Sequence, residues 1–281
     1  MTVLARGVSG KVVDRAWPAG LVFDFSKLEF IRPAGIVFLH NLIRWLHAKS
    51  TKVSFRGHTG KSASLRYLAD SQFFRLHLGD QCEQVGEPRR TTCPLIDIKY
   101  ERSHGWTRQS FLPWVASRAG VSIASLYGLQ SSMAEIFNNI ENHSRYDIGS
   151  IFGQHFPNEN SIVIAISDMG LGIPHNVCKV MSVQSDGDAI IAAVKRGFTS
   201  KSVDTNSGMG LDQLLRSVVA ELKGKVTIYS GSGMVAFKSE RERIIPERYS
   251  EIGFCPGTTI EINLDPRMIP NLPDREGELQ W

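Results

Sequence analysis

Three short segments of this chain carry side chains that could do chemistry together. In the first, E-I-F-N-N-I-E-N-H, Glu135, Asn139 and His143 recur at a spacing of four. On a helix, at about 100° per residue, they lie at about 0°, 40° and 80° and share one face. A carboxylate, an amide and an imidazole turned inward are costly without partners. A solvated polar face is the alternative, but Ile136, Phe137 and Ile140 need burial too, so the helix is wet on only part of its surface. The second segment is D-M-G-L-G-I, Asp168 to Ile173. A carboxylate only accepts hydrogen bonds. At the bottom of a pocket it would take an adenine amino hydrogen and repel the keto oxygen of guanine. Gly170 and Gly172 permit unusual backbone angles and the close approach of a ligand. A plain strand-to-loop turn is the alternative there. The third segment runs G-F-T-S-K, 197–201, then S-G-M-G-L, 207–211. Gly208 and Gly210 stand where a helix begins, and free N–H groups and the helix dipole favour phosphate at such a point. A glycine-rich start to an ordinary core helix would look the same. Lys201 is placed to neutralise phosphate charge, although an exposed lysine is the commoner explanation.

The elements that must hold these residues follow from periodicity. Ser131 to Ser144 has few helix breakers and reads as a helix. Ile162 to Ile166, I-V-I-A-I, is a buried strand with Asp168 just past its end. Leu211, Leu214, Leu215, Val218, Val219 and Leu222 mark the buried face of a helix opened by the third segment. Between the second and third segments lie about 35 residues, including Ser185-Asp186-Gly187-Asp188 and Gly197, a polar stretch that suits a mobile lid.

With 281 residues the chain has room for two domains of roughly 100–150 residues each. Hydrophobic residues make up 42% and charged residues 21%, as in a water-soluble globular protein. The net charge of +4 is spread out, and no Lys/Arg run announces a nucleic-acid arm. Cys82, Cys93, Cys178 and Cys255 form no C-x-x-C pair, so neither a zinc site nor a redox motif is suggested, and their scatter fits a reducing cytoplasm. No signal-type leader and no bilayer-length apolar run is present. A cytoplasmic protein without a membrane partner is expected.

Before the three segments, Leu21 to Phe25 reads as a strand. Ile36, Leu39, Ile43 and Leu46 mark a helix from about Ala34 to Ala48, Lys52 to Arg56 a second strand, and Ser62 to Leu68 a second helix. That order makes a small α/β sandwich. The stretch L-V-F-D-F-S-K-L-E-F-I-R-P-A-G-I, with the V-S-F-R-G strand end after it, resembles a STAS domain, the fold of anti-sigma-factor antagonists. In that family the loop before the helix reads D-S-S-G and its second serine is phosphorylated. Here it reads Arg32-Pro33-Ala34-Gly35, and Ala34 has no hydroxyl to accept a phosphoryl group. The resemblance therefore implies a docking module rather than a phosphorylated switch. Pro88 to Arg90 marks the boundary. The expected organisation is a STAS-like domain over 1–90, linking elements over 91–118, a second domain over 119–265 and a tail over 266–281. Leu95 to Tyr100 alternates as a strand. Thr107 to Ala119 reads as a helix ended by Gly120, although Pro113 falls inside it.

Taken together, an Asn-bearing helix, a strand ending in D-x-G-x-G, a flexible insert and G-x-G-L at a helix start resemble the Bergerat ATP-binding fold of the GHKL superfamily. Its members include gyrase, heat-shock chaperones, histidine kinases and mismatch-repair proteins. The resemblance covers residues 95–265, with Gly257-Thr258-Thr259 and I-E-I-N-L as its closing strand. It implies an α/β (α+β) sandwich with ATP and Mg²⁺ as cofactors. It gives Asn139 the magnesium ion and Asp168 the adenine. Gly170, Gly172, Gly208 and Gly210 would let the backbone close around the nucleotide. Ile173, Met209 and Leu211 lie within the same boxes, with Thr199 and Lys201 on the approach of the lid. Glu135 would be the general base, and His143 would pack or contact phosphate.

The superfamily contains several mechanisms. Gyrase-like members use a lysine from a following domain, and here only 266–281 follows the last strand. Histidine kinases need a helical hairpin with a phosphorylatable histidine, and His104 sits beside Gly105 in what reads as a loop. The expectation is an ATP-dependent regulatory switch with slow ATP hydrolysis. Its lid closure would alter binding to a protein partner that is STAS-type, an effector or a regulator, or to further copies of itself. The alternatives are a serine/threonine kinase acting on a separate STAS-type protein, and a scaffold that binds ATP without hydrolysing it.

Overall fold

The structure, a computed structural model, describes residues 18–83, 85–143, 148–195, 210–249 and 253–273. It opens with β1 (Gly20–Asp24), α1 (Pro33–Ala48) and β2 (Lys52–Arg56), followed by α2 (Ala63–Asp70) and α3 (Phe73–Leu78). Next come β3 (Thr92–Lys99), α4 (Tyr100–Trp106), a π-helical turn (Thr107–Phe111), α5 (Leu112–Ala119) and α6 (Tyr127–His143). The strands β4 (Ile148–Phe156) and β5 (Ser161–Ser167) lead to α7 (Ile173–Val177), α8 (Asp186–Ala193) and α9 (Gly210–Leu215). A second π turn, Arg216–Glu221, precedes β6 (Lys225–Gly231), β7 (Gly233–Glu240), β8 (Arg243–Tyr249) and β9 (Cys255–Leu264).

The last seven strands form one antiparallel sheet in the order β3-β4-β5-β9-β6-β7-β8. The fold is mixed α/β of the α+β kind. β5 is buried along its whole length, which is why it reads as an unbroken apolar run: both faces of the sheet are covered. Its alternation still shows in what each side chain touches. Ile162, Ile164 and Ile166 join the core shared with α5, α6, α9 and the second π turn. Ala165 faces the other way, into the core built around α1. A small residue is needed there because α1 crosses β4, β5 and β9.

The N-terminal elements have the order read from the sequence, and β1 and β2 pair in parallel. Their core is not private. Leu95, Phe152, Ala165, Tyr229 and Cys255 of the large sheet belong to the same cluster as Phe25, Phe38 and Phe74. Two strands alone give too little surface to bury a long helix, so α1 is held between the small sheet and the large one. It is accordingly buried nearly all round. Ile36, Val37, Phe38, Leu39, Leu42, Ile43 and Leu46 are each at most 2% exposed, and each such burial contributes roughly 1.5–3 kcal/mol. The sequence pattern showed a single inward stripe, whereas Val37, Phe38 and Leu42 are buried as well.

Polar side chains also fasten this layer to the sheet. His40 Nε2 and Arg44 Nη1 both meet Asp97 Oδ1 at 3.0 Å, and His40 Nδ1 lies 2.9 Å from His77 Nε2. Ser150 Oγ lies 2.6 Å from Asp97 Oδ1 and 2.9 Å from Asn41 Oδ1. Burial works against the Asp97 charge, but hydrogen bonds from His40 and Ser150 and the positive charge of Arg44 hold its carboxyl below the usual range. Burial pushes His77 down to about 3, so this imidazole is neutral.

Pro113 does not break the helix it falls in. The chain makes a π turn just before it, Leu112 N bonds back to Thr107 O, and Pro113 sits in the first turn of α5, where its missing N–H is not needed. Gly120 closes α5 in the left-handed conformation, φ +70°. Among the described residues no helix is long and apolar enough to cross a membrane.

Candidate functional site

Asp168 follows β5 directly, and the structure fixes it from two sides. Its own N–H donates to Thr258 O at 2.9 Å, and its Oδ1 accepts from Gly170 N at 2.5 Å. Just behind it, Ser167 Oγ and Thr259 Oγ1 are 2.8 Å apart. Burial raises the Asp168 carboxyl to about 6, against the lowering effect of the backbone N–H groups of Gly170 and Thr258. A carboxyl held this way is a poor surface charge and a good acceptor for a buried donor.

Two glycines make that placement sterically feasible. Gly257 has φ +71°, and a Cβ on it would stand 2.2 Å from Asp168 O. Gly172 has φ +84°, and a Cβ there would meet Ser230 Oγ at 2.7 Å. Ser230 ties the loop down. Its Oγ accepts from Ile173 N at 2.9 Å and donates to Gly257 O at 2.8 Å. Gly172 is therefore required by the strand ends it crosses. Ser230 carries no motif, and only the pairing of β6 with β9 brings it to the loop.

The first and third segments meet directly. Glu135 and Asn139 lie on α6, both half-buried. Glu135 lies against the backbone of Gly210, the first residue of α9, and a Cβ on Gly210 would stand 2.4 Å from Glu135 Oε1. So Gly210, read as a phosphate-cradling glycine, has a packing reason of its own. Asn138 Nδ2 reaches Glu135 Oε2 at 3.5 Å, a contact the sequence reading passed over. Two turns before Glu135, Gly128 lets α6 approach Ser217 in the second π turn, where a Cβ would meet Ser217 Oγ at 3.0 Å. Among the described residues, Asn139 makes no side-chain hydrogen bond, and it lies one turn beyond Glu135 on α6. Ile173 and Leu211 pack at the margin of the main core. His143 ends α6, and its side chain lies outside the described residues, as do Thr199, Lys201, Gly208 and Met209.

The stretch expected to be a lid is partly a built element. Ser185 caps α8 by accepting from Asp188 N at 3.1 Å. Asp186 Oδ2 accepts from Ser232 N at 2.7 Å, and Arg248 pairs with Asp188 at 2.8 Å. S-D-G-D is thus the start of a helix, with acidic residues in its first turn where the dipole favours them.

No family model matches the chain, and no curated protein matches it. Among solved structures it is similar to the B-subunit of the DNA gyrase from Myxococcus xanthus, at 12% sequence identity and a TM-score of 0.31. The similarity covers 61% of this chain and 46% of that one, so the chain spans less than half of that subunit's length.

Proposed function

We propose that this protein is an ATP-binding regulatory switch of the GHKL type, with slow hydrolysis coupled to closure around the nucleotide. The observation that carries the reading is the meeting of the first and third segments, where Glu135 rests on Gly210. Asp168 of the second is anchored separately, at the end of β5. Asp168 would accept from the adenine amino group. Asn139 would hold Mg²⁺ through its amide oxygen, an ion that bridges phosphate oxygens and offsets their charge. Its half-buried place on α6, one turn beyond Glu135, suits that task. Glu135 would orient and deprotonate the attacking water, with Asn138 steadying the carboxylate. The N-terminal layer, fused to the back of the same sheet, would present the protein surface whose partner the nucleotide state regulates.

Titration of the full chain with a fluorescent ATP analogue and Mg²⁺ tests the site. Asp168→Asn and Asn139→Ala should each weaken binding by about tenfold or more. Glu135→Ala should keep binding and lose phosphate release. Unchanged binding in both of the first two variants would refute the site. Transfer of the γ-phosphate to an added STAS-type protein would replace hydrolysis by kinase activity.

A further inference from the structure

A cavity lies along α6, beginning about one turn before Glu135. It has a volume of about 150 Å³ and lies between α6 and the α4–π segment. At a share of about 30 Å³ per water, that is room for a ligand of a few heavy atoms. Its lining is rich in donors. Ser103, His104, Thr107 and Arg108 form one wall, Gln130 and Ser131 face them, and Ala134 and Phe137 supply the apolar part. No carboxylate is in the lining. Ser103 with Thr107 and His104 with Arg108 are four apart, so each pair points the same way. Arg108 has no ion pair among the described residues.

The backbone is unusual at this wall. Thr107 and Arg108 open the π turn Thr107–Phe111, a geometry poorer in hydrogen bonding than an α-helix and frequent where side chains must be re-aimed at a functional site. Around α6, Ser131 stands one turn before Glu135 on the same row of the helix, with Gln130, Ala134 and Phe137 to one side of it. The cavity therefore borders the candidate nucleotide site along α6, and its lining contains none of that site's residues.

We propose that this cavity binds a small oxyanion, a phosphate or carboxylate group, on Arg108 and His104, with its body against Phe137. Arg108 supplies the planar fork that matches an oxyanion, and Thr107, Ser131 and Gln130 complete its hydrogen bonds, the Ser103 hydroxyl being donated to Tyr100 O at 2.7 Å.

Calorimetric titration of the full chain with inorganic phosphate, and separately with succinate, tests this. Saturable binding of either is expected, and which one binds identifies the source of the oxyanion. Arg108→Gln should weaken it by about tenfold or more. Ser131→Phe, which fills the cavity and keeps the charges, should abolish it. Asp168→Asn should leave it unchanged, so the result stands apart from the nucleotide reading. Three outcomes would overturn the proposal: no saturable binding of either anion, full binding in Arg108→Gln and Ser131→Phe, or loss of binding in Asp168→Asn.

Discussion

Asp168→Asn should make the protein more stable and less functional, and the two effects can be separated by pH. The Asp168 carboxyl is raised by burial to about 6 from its ordinary 3.8. The folded state therefore holds this proton more tightly than the unfolded chain does. Its contribution to stability is fully present below about pH 4 and is lost as pH rises through about 6. At 1.36 kcal/mol per unit, the shift corresponds to about 3 kcal/mol as an upper bound, and about 1–3 kcal/mol is expected because Asp168 is only partly buried. Asparagine keeps an oxygen to accept from Gly170 N and removes the charge. Urea unfolding of wild type and Asp168→Asn at pH 5 and pH 8 would measure it. The variant should be the more stable at pH 8, by an amount that shrinks at pH 5. ATP affinity of the wild type should rise over the same interval, because the ionised form is the acceptor. If Asp168→Asn is destabilised equally at both pH values, the carboxylate is a structural anchor and the reasoning fails.

Gly210→Ala should cost about 1–3 kcal/mol by driving a methyl group into Glu135. The double variant with Glu135→Ala should recover most of that loss in a denaturant-based cycle. Asp97→Ala strips the shared acceptor from His40, Arg44 and Ser150 and should cost about 1–3 kcal/mol. Because the Asp97 carboxyl is held below its usual range, the loss should be full at neutral pH and fade as pH falls through that depressed value, read from urea midpoints at several pH values. Hydrogen exchange with and without an ATP analogue should show altered protection at the N-terminal turn of α1, and no change there would separate the N-terminal layer from the nucleotide site.

The elements that carry Glu135, Asn139 and Asp168 were legible because apolar neighbours surround them at fixed spacings. Glu135 and Asn139 fall on one helix and Asp168 falls past an apolar strand, as their neighbours required. What was hidden depends on pairing between distant strands. Ser230 matters only because β6 lies beside β9, and the β6–β7–β8 run alternates around charged residues that give no site signal. The N-terminal segment shows the same limit. The order strand, helix, strand, helix is written in local periodicity. That Val37 and Phe38 are as buried as Ile36 depends on a second sheet that local pattern does not contain. S-D-G-D was read as loop from composition, whereas Ser185 at the capping position turns the same residues into a helix start.

β9 is one of the strands through which the N-terminal layer and the large sheet touch. At one end Thr258 O and Thr259 Oγ1 hold Asp168 and Ser167. Two residues on, Glu261 lies opposite Ala165 and its carboxylate accepts from the backbone N–H of Ala34 in the first turn of α1. Burial raises the Glu261 carboxyl, and that amide bond and Arg32 pull it back. So the start of α1 meets a carboxylate from the sheet, on the side where the dipole favours negative charge. Thr259 and Glu261, two apart on one strand, share a face, so the Asp168 support and the α1 support belong to a single element. A shift of β9 on nucleotide binding would move both, and a shift that left Asp168 in place would move neither.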